Sequence, residues 1–327
     1  MDANQFLPDE AAVARISKDI ETYEAGRLAA QRQIGWRVPL FMGGWAVATV
    51  ALAWLFNVFA DPSEQWASAP HMFLYVIAVG AGVPLWIQAI KPARRFQQSF
   101  REKLLPAIFG FIDDMRYRHG TEPGSFNRLP SAATGNFTEK SFDDVISGRF
   151  DDFPFELYET RLARKAGKSS QTLFKGVILA FGIEQPFPGT LVAVRKAGIG
   201  ERLLRDMFGD GGLGEIRSGV GPIDAMYDFR TDNAEAALPL VTGRLARALK
   251  WLGEAWPEAP ARIALKGQDG FLLLPTSKDF FELPTVHTSI DYTRHVQPII
   301  AEMVSLLVTG SLVRKAGVAD AVSDAQP

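Results

Sequence analysis

The chain lacks cysteine, and one long stretch of it lacks positive charge. Its 327 residues contain no cysteine, which excludes disulfides, thiolate zinc sites, cysteine-ligated iron–sulfur clusters and cysteine nucleophiles. Lysine and arginine together number 35, yet none lies between Val38 and Ile90. The formal net charge of −2 gives no electrostatic reason to bind nucleic acid, so we predict no nucleic-acid partner.

The stretch without lysine or arginine contains two long apolar segments, 38–60 and 69–90. As helices rising about 1.5 Å per residue, both are long enough to cross a hydrocarbon core of about 30 Å. A buried helical hairpin in a soluble protein is the alternative, but such helices normally carry a polar stripe, and neither segment has one. We therefore predict a transmembrane hairpin over 37–92, with the lipid bilayer around it.

The charges next to the hairpin predict its orientation. The intervening turn, 61–68, carries acidic residues and no basic ones, whereas basic residues flank the hairpin on both sides. The flanking basic residues are Arg27, Arg32, Arg37, Lys91, Arg94, Arg95, Arg101 and Lys103. Under the positive-inside rule both termini are cytoplasmic and the turn faces outward.

Two amphipathic helices are predicted on the cytoplasmic side of the hairpin. Apolar residues recur at spacings of three and four in 1–36 and again in 93–118. We expect these helices to pair as a cytoplasmic stalk. Packing of each helix on the soluble domain, or on another copy of the chain, is an open alternative.

The remaining region, 119–315, is predicted to be an α+β domain with a mainly antiparallel sheet. A hydroxyl followed by two acids predicts a short helix at 141–146, and the clearest helix is 234–256. Strands are predicted at 153–163, 172–181, 189–195, 262–266 and 271–274, with Gly267–Gly270 as a hairpin turn between the last two. The tail, 316–327, is small and polar and is predicted to be disordered.

The apolar segment 296–313 raises the question of a third membrane span. Glu302 lies near its centre, and Pro298 lies close to its start. A charged side chain at the centre of a bilayer is costly, so we do not predict a third crossing.

Two glycine-containing motifs are similar to phosphate-binding loops, and we reject both. Gly209-x-Gly211-x-x-Gly214 matches a dinucleotide fingerprint in its letters, but a predicted helix precedes it where the motif needs a strand. Gly167-Lys168-Ser169 lacks the earlier glycine of a P-loop, because position 162 is leucine. We predict a loop and a turn at these positions, and no cofactor.

One candidate metal site is visible in the sequence. His287, Asp291 and His295 are spaced by four, so on a helix they would share one face, and imidazole and carboxylate groups bind zinc and similar ions. An acid near the start of a helix would explain Asp291 equally well. No catalytic residue is predicted, and the adjacent acids Asp143 and Asp144 are expected to be solvated.

Three short runs resemble the bacterial DUF3137 family of membrane-anchored proteins. These runs are Tyr227–Val241, Leu173–Val177 and Asp279–Glu282, and they follow the two apolar segments in the order typical of the family. The family has no known function. The resemblance therefore implies the architecture and a bacterial inner (cytoplasmic) membrane location, and it implies no site residue.

Two functions follow as hypotheses. The first is a non-catalytic scaffold or interaction module, anchored in the inner membrane, which binds a partner protein or forms a homo-oligomer. The alternative is a membrane-tethered enzyme or ligand- or metal-binding domain that uses His287, Asp291 and His295. A transporter is a weaker possibility, because two spans without an intramembrane charge offer no substrate path unless several copies assemble.

Overall fold

A computed structural model describes residues 8–59, 66, 68–167, 169–196, 212–256, 261–278, 280–281 and 287–315. The chain divides into two compact units. The hairpin unit comprises Glu10–Ala107 and Leu283–His295. The sheet unit comprises Met1–Asp9, Ile108–Glu282 and Val296–Pro327.

Three helices form most of the hairpin unit: α1 (Glu10–Phe59), α2 (Ala69–Ala89) and α3 (Lys91–Ile108). The first is a single helix of 50 residues, so the predicted N-terminal helix and the first predicted span are one element. Pro39 lies inside it, close to where the polar half of the helix gives way to the apolar half.

Helices α1 and α2 are joined by polar side chains that reach the backbone of the opposite helix. The indole Nε1 of Trp45 donates to the carbonyl oxygen of Ala78 at 3.1 Å. The imidazole of His71 is fully buried, and its Nε2 donates to the carbonyl oxygen of Ala53 at 3.0 Å. Gly82 leaves room for the Trp45 ring, because a Cβ there would lie 3.3 Å from it.

The other faces of α1 and α2 expose large apolar side chains. Only 6 % of the apolar window of α1 and 11 % of that of α2 is buried. Among the described residues, every exposed large apolar side chain except Leu28, Val220 and Leu238 lies between Trp36 and Ile87. By length and composition, both helices could cross a membrane.

Helices α1 and α3 contact each other, whereas a stalk on the cytoplasmic side stays a prediction. Within the hairpin unit, the rings of Tyr23 in α1 and Phe96 in α3 pack with their centroids 4.2 Å apart. The helix predicted over 93–118, however, ends at Ile108, and Asp113–His119 forms a strand. The apolar spacing at 108–115 was therefore a poor guide, because pairing with the next strand determines the structure there.

The described part of the sheet unit contains seven strands. They are β1 (Asp113–His119), β2 (Glu139–Phe150), β3 (Phe153–Ala166), β4 (Ser169–Arg195), β5 (Gly214–Ile216), β6 (Tyr227–Thr231) and β7 (Arg262–Pro275). Their order is β1-β2-β3-β4-β6-β5, and β7 also pairs with β4. Every pairing is antiparallel, which confirms the predicted α+β class with an antiparallel sheet.

Strand β4 differs most from its prediction. Its 27 residues were predicted as two strands with a loop between them, and 262–275 as a hairpin. Instead β4 runs through irregular pairing between Gly182 and Thr190, and β7 follows it as one strand along its length. Gly267, with φ +57°, pairs with Phe187 inside this irregular region. Gly267 and Gly270 therefore lie at a bend in β7, and the chain does not reverse direction there.

The sheet unit also contains five helices in its described part. They are α4 (Ser131–Thr134), α5 (Gly221–Met226), α6 (Ala234–Thr242), α7 (Arg244–Ala255) and α8 (Gln297–Arg314). The single helix predicted over 234–256 is thus two helices. The break falls at Gly243, whose φ of −104° and ψ of −126° are not helical, four residues after Pro239 removes a backbone donor.

Alternate residues of β4 face two separate layers. Ile178 and Ala180 belong to a buried cluster that includes Phe126 and Ala133, beside the short helix α4. Leu179 and Phe181 point to the opposite face, where they lie close to Gly310 of α8. Because both faces are covered here, successive residues of β4 are all apolar from Val177 to Phe181.

Helix α8 falls on the segment considered as a third span. Together with the preceding π-helical turn, Tyr292–Arg314 is long and apolar enough to cross a membrane by length and composition. It differs from α1 and α2 because 67 % of its apolar window is buried within the protein.

Candidate functional site at the bulge of strand β2

A β-bulge brings acidic side chains of β2 next to the end of β1. Phe142 pairs with Thr160 of β3, but Val145 pairs with Tyr158, so β2 carries one extra residue between these pairs. A bulge of this kind changes the direction of neighbouring side chains. On the other side, Asp144 lies opposite His119 of β1.

The three side chains at the bulge converge on one point. His119 Nδ1 lies 3.0 Å from an oxygen of Asp143 and 3.0 Å from an oxygen of Asp144. The Asp144 side chain is fully buried, and its Oδ1 accepts a hydrogen bond from the Tyr117 hydroxyl at 2.5 Å. The His119 and Asp143 side chains are 52 % and 46 % exposed, so solvent reaches the cluster from one side.

This arrangement corrects the expectation for the two acids. Asp143 and Asp144 were expected to be solvated surface residues, but Asp144 has no exposed side-chain surface. Two adjacent acids in a strand normally point to opposite faces, and only the bulge allows both to approach one imidazole. The sequence signal that could have located the site is the pair of acids inside a run that pairs as a strand, together with a histidine 25 residues away.

The cluster has the composition of a cation site. A ligand atom from each of His119, Asp143 and Asp144 lies within 4.8 Å of the other two. Imidazole nitrogen and carboxylate oxygen bind zinc and other divalent transition metals. A protonated imidazole between two carboxylates would satisfy the same distances.

A groove of about 440 Å³ opens beside Asp143 and crosses β2, β3 and β4. It is lined by both signs of charge, with Glu159 on one strand and Arg161, Lys175 and Lys278 around it. Glu159 is largely buried and accepts a hydrogen bond from the backbone N–H of Phe280. The groove is therefore polar, with one buried carboxylate and three cationic side chains in its wall.

The site predicted from sequence lies in the hairpin unit. His287 is in an exposed turn, and Asp291 precedes a π-helical turn, Tyr292–Val296. His295 Nδ1 accepts a hydrogen bond from the backbone N–H of Asp291 at 2.9 Å, and the Asp291 carboxylate accepts one from the Arg294 N–H at 2.8 Å. Asp291 thus caps its own turn, and a metal at these three residues stays a prediction.

Neither of the two rejected phosphate motifs lies wholly within the described residues. Gly167 forms the turn between β3 and β4 with φ +63°, whereas Lys168 lies outside the described residues. Gly209 and Gly211 also lie outside them, and Gly214 begins β5.

Comparison with known protein families finds no match, and comparison with curated proteins finds none either. Among solved structures, the chain is similar to the mycobacterial trehalose monomycolate transport factor A, TtfA, at 11 % identity and a TM-score of 0.34. The similarity covers 64 % of this chain and 93 % of that one. A likeness at this TM-score carries no argument about function. Membership of the DUF3137 family stays a prediction.

Proposed function

We propose that this chain is a bacterial inner-membrane protein that holds its sheet unit at the cytoplasmic face, where that unit binds a partner protein or further copies of the chain. In this proposal α1 and α2 cross the bilayer as a hairpin, and both termini are cytoplasmic. The observation that carries it is the concentration of exposed large apolar side chains between Trp36 and Ile87.

Exposure of these large apolar side chains to water is energetically unfavourable. Trp54, Phe73, Val76 and Val79 are 61 %, 69 %, 70 % and 70 % exposed, as are many of their neighbours. Contiguous apolar surface on this scale is rare on soluble proteins and marks contact with lipid or with another protein. The described part of the sheet unit exposes only Val220 and Leu238 among its large apolar residues, so the contrast lies within one chain.

The interior of the hairpin fits a lipid environment. His71 and Trp45 each satisfy a ring N–H on a carbonyl of the opposite helix, and Ser68 Oγ lies 2.7 Å from the other ring nitrogen of His71. Polar groups within a bilayer need internal partners of this kind, because no water is present to replace them.

The ends of the hairpin support the orientation. Trp36 and Trp86 are 57 % and 47 % exposed, next to the basic residues Arg37 and Lys91. The Arg37 guanidinium lies 5.9 Å from the centre of the Trp36 ring. Indole rings favour the headgroup region, and basic residues favour the cytoplasmic side.

The absence of native cysteine makes the topology directly testable. We would introduce single cysteines at Ser63, between the two proposed spans in the sequence, and at Ser169, in the sheet unit, and treat spheroplasts with a membrane-impermeant maleimide. We expect Ser63→Cys to react in intact spheroplasts and Ser169→Cys to react only after lysis. The wild-type chain is the blank. Reaction of Ser169→Cys in intact spheroplasts would contradict the orientation, and recovery of the protein in the soluble fraction would contradict the anchor.

The interaction part of the proposal needs a separate measurement. Chemical crosslinking in membranes, followed by isolation in mild detergent, should recover the chain with a second protein or with itself. Light scattering on the detergent-purified chain would then distinguish these two cases. Recovery of monomer alone, across detergents and crosslinkers of different length, would contradict a scaffold or interaction role.

A further inference from the structure

We propose that His119, Asp143 and Asp144 bind one divalent transition-metal ion, of the chemistry of Zn²⁺ or Mn²⁺. The proposal does not depend on the membrane anchor or on a protein partner. It concerns the sheet unit alone, at a position that the sequence did not indicate.

The donor atoms suit such an ion. One imidazole nitrogen and two carboxylate oxygens supply three ligands, and His119 Nδ1 lies 3.0 Å from each carboxylate. Ligand atoms around a tetrahedral zinc ion, bonded at about 2.0–2.2 Å, are separated by slightly more than this, so a small outward movement would admit the ion. The mixed nitrogen and oxygen set favours a transition metal over calcium or magnesium, which prefer oxygen alone.

The cluster is held in position before any ion arrives. His119 and Asp144 face each other across paired strands, and the Tyr117 hydroxyl binds Asp144 Oδ1 at 2.5 Å. A hydrogen bond from a neighbouring residue to a metal ligand orients that ligand and lowers the free-energy cost of binding the ion. An ion beside Asp144 would also compensate the charge of its fully buried carboxylate.

The site also has an entrance and an open side. The half-exposed His119 and Asp143 form the outer edge, so an ion can enter without opening the sheet. Asp143 belongs to the groove of about 440 Å³ as well, so a fourth ligand could come from water or from a molecule in that groove. Three protein ligands with one open position are typical of zinc sites that bind substrate.

A proton on His119 is the competing occupant, and metal titration separates the two. The full-length protein would be purified in mild detergent, freed of any affinity tag, stripped with a chelator and dialysed against Zn²⁺ or Mn²⁺. We expect one ion per chain by elemental analysis, together with visible absorption bands when Co²⁺ is used as a probe. Imidazolium between two carboxylates would give neither result.

Three variants locate the ion. His119→Ala and Asp143→Asn should each weaken binding at least tenfold. His287→Ala, which removes an exposed histidine from the trio predicted by sequence, should leave binding unchanged. Asp143 is half-exposed, so Asp143→Asn is expected to fold even if His119→Ala does not, and a thermal melt of each variant would check this.

Three outcomes would overturn the proposal. One is the absence of stoichiometric binding of either ion to the wild-type chain. Another is binding that neither His119→Ala nor folded Asp143→Asn weakens. The third is loss of binding in His287→Ala with retention in Asp143→Asn, which would assign the ion to the hairpin unit instead.

Discussion

Trp45 and Gly82 pack against each other across the hairpin. The six-membered ring of the tryptophan occupies the space that a side chain at position 82 would need, because a Cβ there would lie only 3.3 Å from ring carbon Cζ2. The same indole donates to the carbonyl oxygen of Ala78, one turn earlier in α2. One residue of α1 therefore fixes both the spacing and the register of α2.

The first prediction concerns this contact. Gly82→Ile should separate α1 from α2 and lower the stability of the hairpin by about 1–3 kcal/mol, because a packed ring must move. Gly80→Ile is the matched control, since a Cβ at position 80 meets nothing within 4 Å. The measurement is the fraction of protein that survives heating in mild detergent, read by size exclusion. Equal melting of the two variants would show that the helices do not pack at Gly82.

The second prediction concerns Glu24 of α1, which is hydrogen-bonded to Ser289 and Ile290 within the same unit. Its carboxylate accepts hydrogen bonds from the backbone N–H of Ile290 at 2.8 Å and from the Ser289 hydroxyl at 3.2 Å. Bonds to a charged group contribute about 1.5–3 kcal/mol, so Glu24→Ala should speed hydrogen exchange at Ile290 by about ten- to a hundredfold. Glu21→Ala, an exposed acid one turn earlier, should leave that amide unchanged.

The third prediction tests where α8 is packed. A Cβ at Gly310 would lie 2.9 Å from Leu179 Cδ2, so Gly310→Ala should have a packing cost of about 1–3 kcal/mol, of which the gain in helix propensity of about 0.5–1 kcal/mol offsets a part. Gly253→Ala in α7 is the control, because its Cβ would lie 3.7 Å from the Tyr227 hydroxyl, and alanine favours a helix by about 0.5–1 kcal/mol. Thermal unfolding followed by near-ultraviolet circular dichroism compares the two. A neutral Gly310→Ala would argue against α8 lying on β4.

The fourth prediction is a dependence on pH. Burial raises the pKa of Tyr227 from 10.0 to about 12, and its hydroxyl donates to the carbonyl oxygen of Leu249 at 3.0 Å. Below pH 10 the phenol is neutral in both the folded and the unfolded chain, so its contribution to stability is complete. Between pH 10 and 12 the unfolded phenol ionises first, and the free energy of unfolding falls by at most about 1.4 kcal/mol per pH unit.

The measurement compares the wild-type chain with Tyr227→Phe by denaturant titration at pH 8 and at several values from 10 to 12. The variant should be less stable at pH 8, by about 1 kcal/mol for the lost hydrogen bond. The difference between the two chains should shrink to about zero near pH 11 and change sign above it, because the ionisation of the unfolded phenol then outweighs the hydrogen bond. A constant difference across that range would show that the folded and unfolded phenols ionise together.

The sequence predicted well wherever one local pattern determines the structure. The absence of lysine and arginine from Val38 to Ile90 located both apolar helices, and alternating or wholly apolar runs located the centres of β3 and β4. These features need only the chain itself and the solvent around it. The antiparallel α+β class followed from them.

The predicted secondary structure was wrong where pairing with a distant segment of the chain determines the local structure. The acids after Ser141 are typical of a helix start, yet 139–150 is a strand because β1 and β3 pair with it on both sides. The glycines at 267 and 270 are typical of a hairpin, but β4 continues past them as a partner, so the chain only bends. Gly270 allows close packing there, since a Cβ would lie 2.5 Å from the Phe181 ring.

The cluster of His119, Asp143 and Asp144 could not be predicted from the sequence for the same reason. His119, Asp143 and Asp144 meet through the register of β1 on β2 and through one inserted residue, and neither can be read from spacing along the chain. The trio that spacing did indicate, at 287, 291 and 295, assumed a regular helix, whereas Tyr292–Val296 is a π-helical turn.

Helix α1 runs from Glu10 to Phe59 without interruption, which at about 1.5 Å per residue makes a rod of about 75 Å. The helix continues through Pro39, which lies close to the junction between its polar and apolar halves. A tilt of the apolar half by about ten degrees would therefore swing the far end by roughly 13 Å if the helix moves as a rigid body. A protein bound to the first turns of α1 would thus change the direction of the apolar half as well.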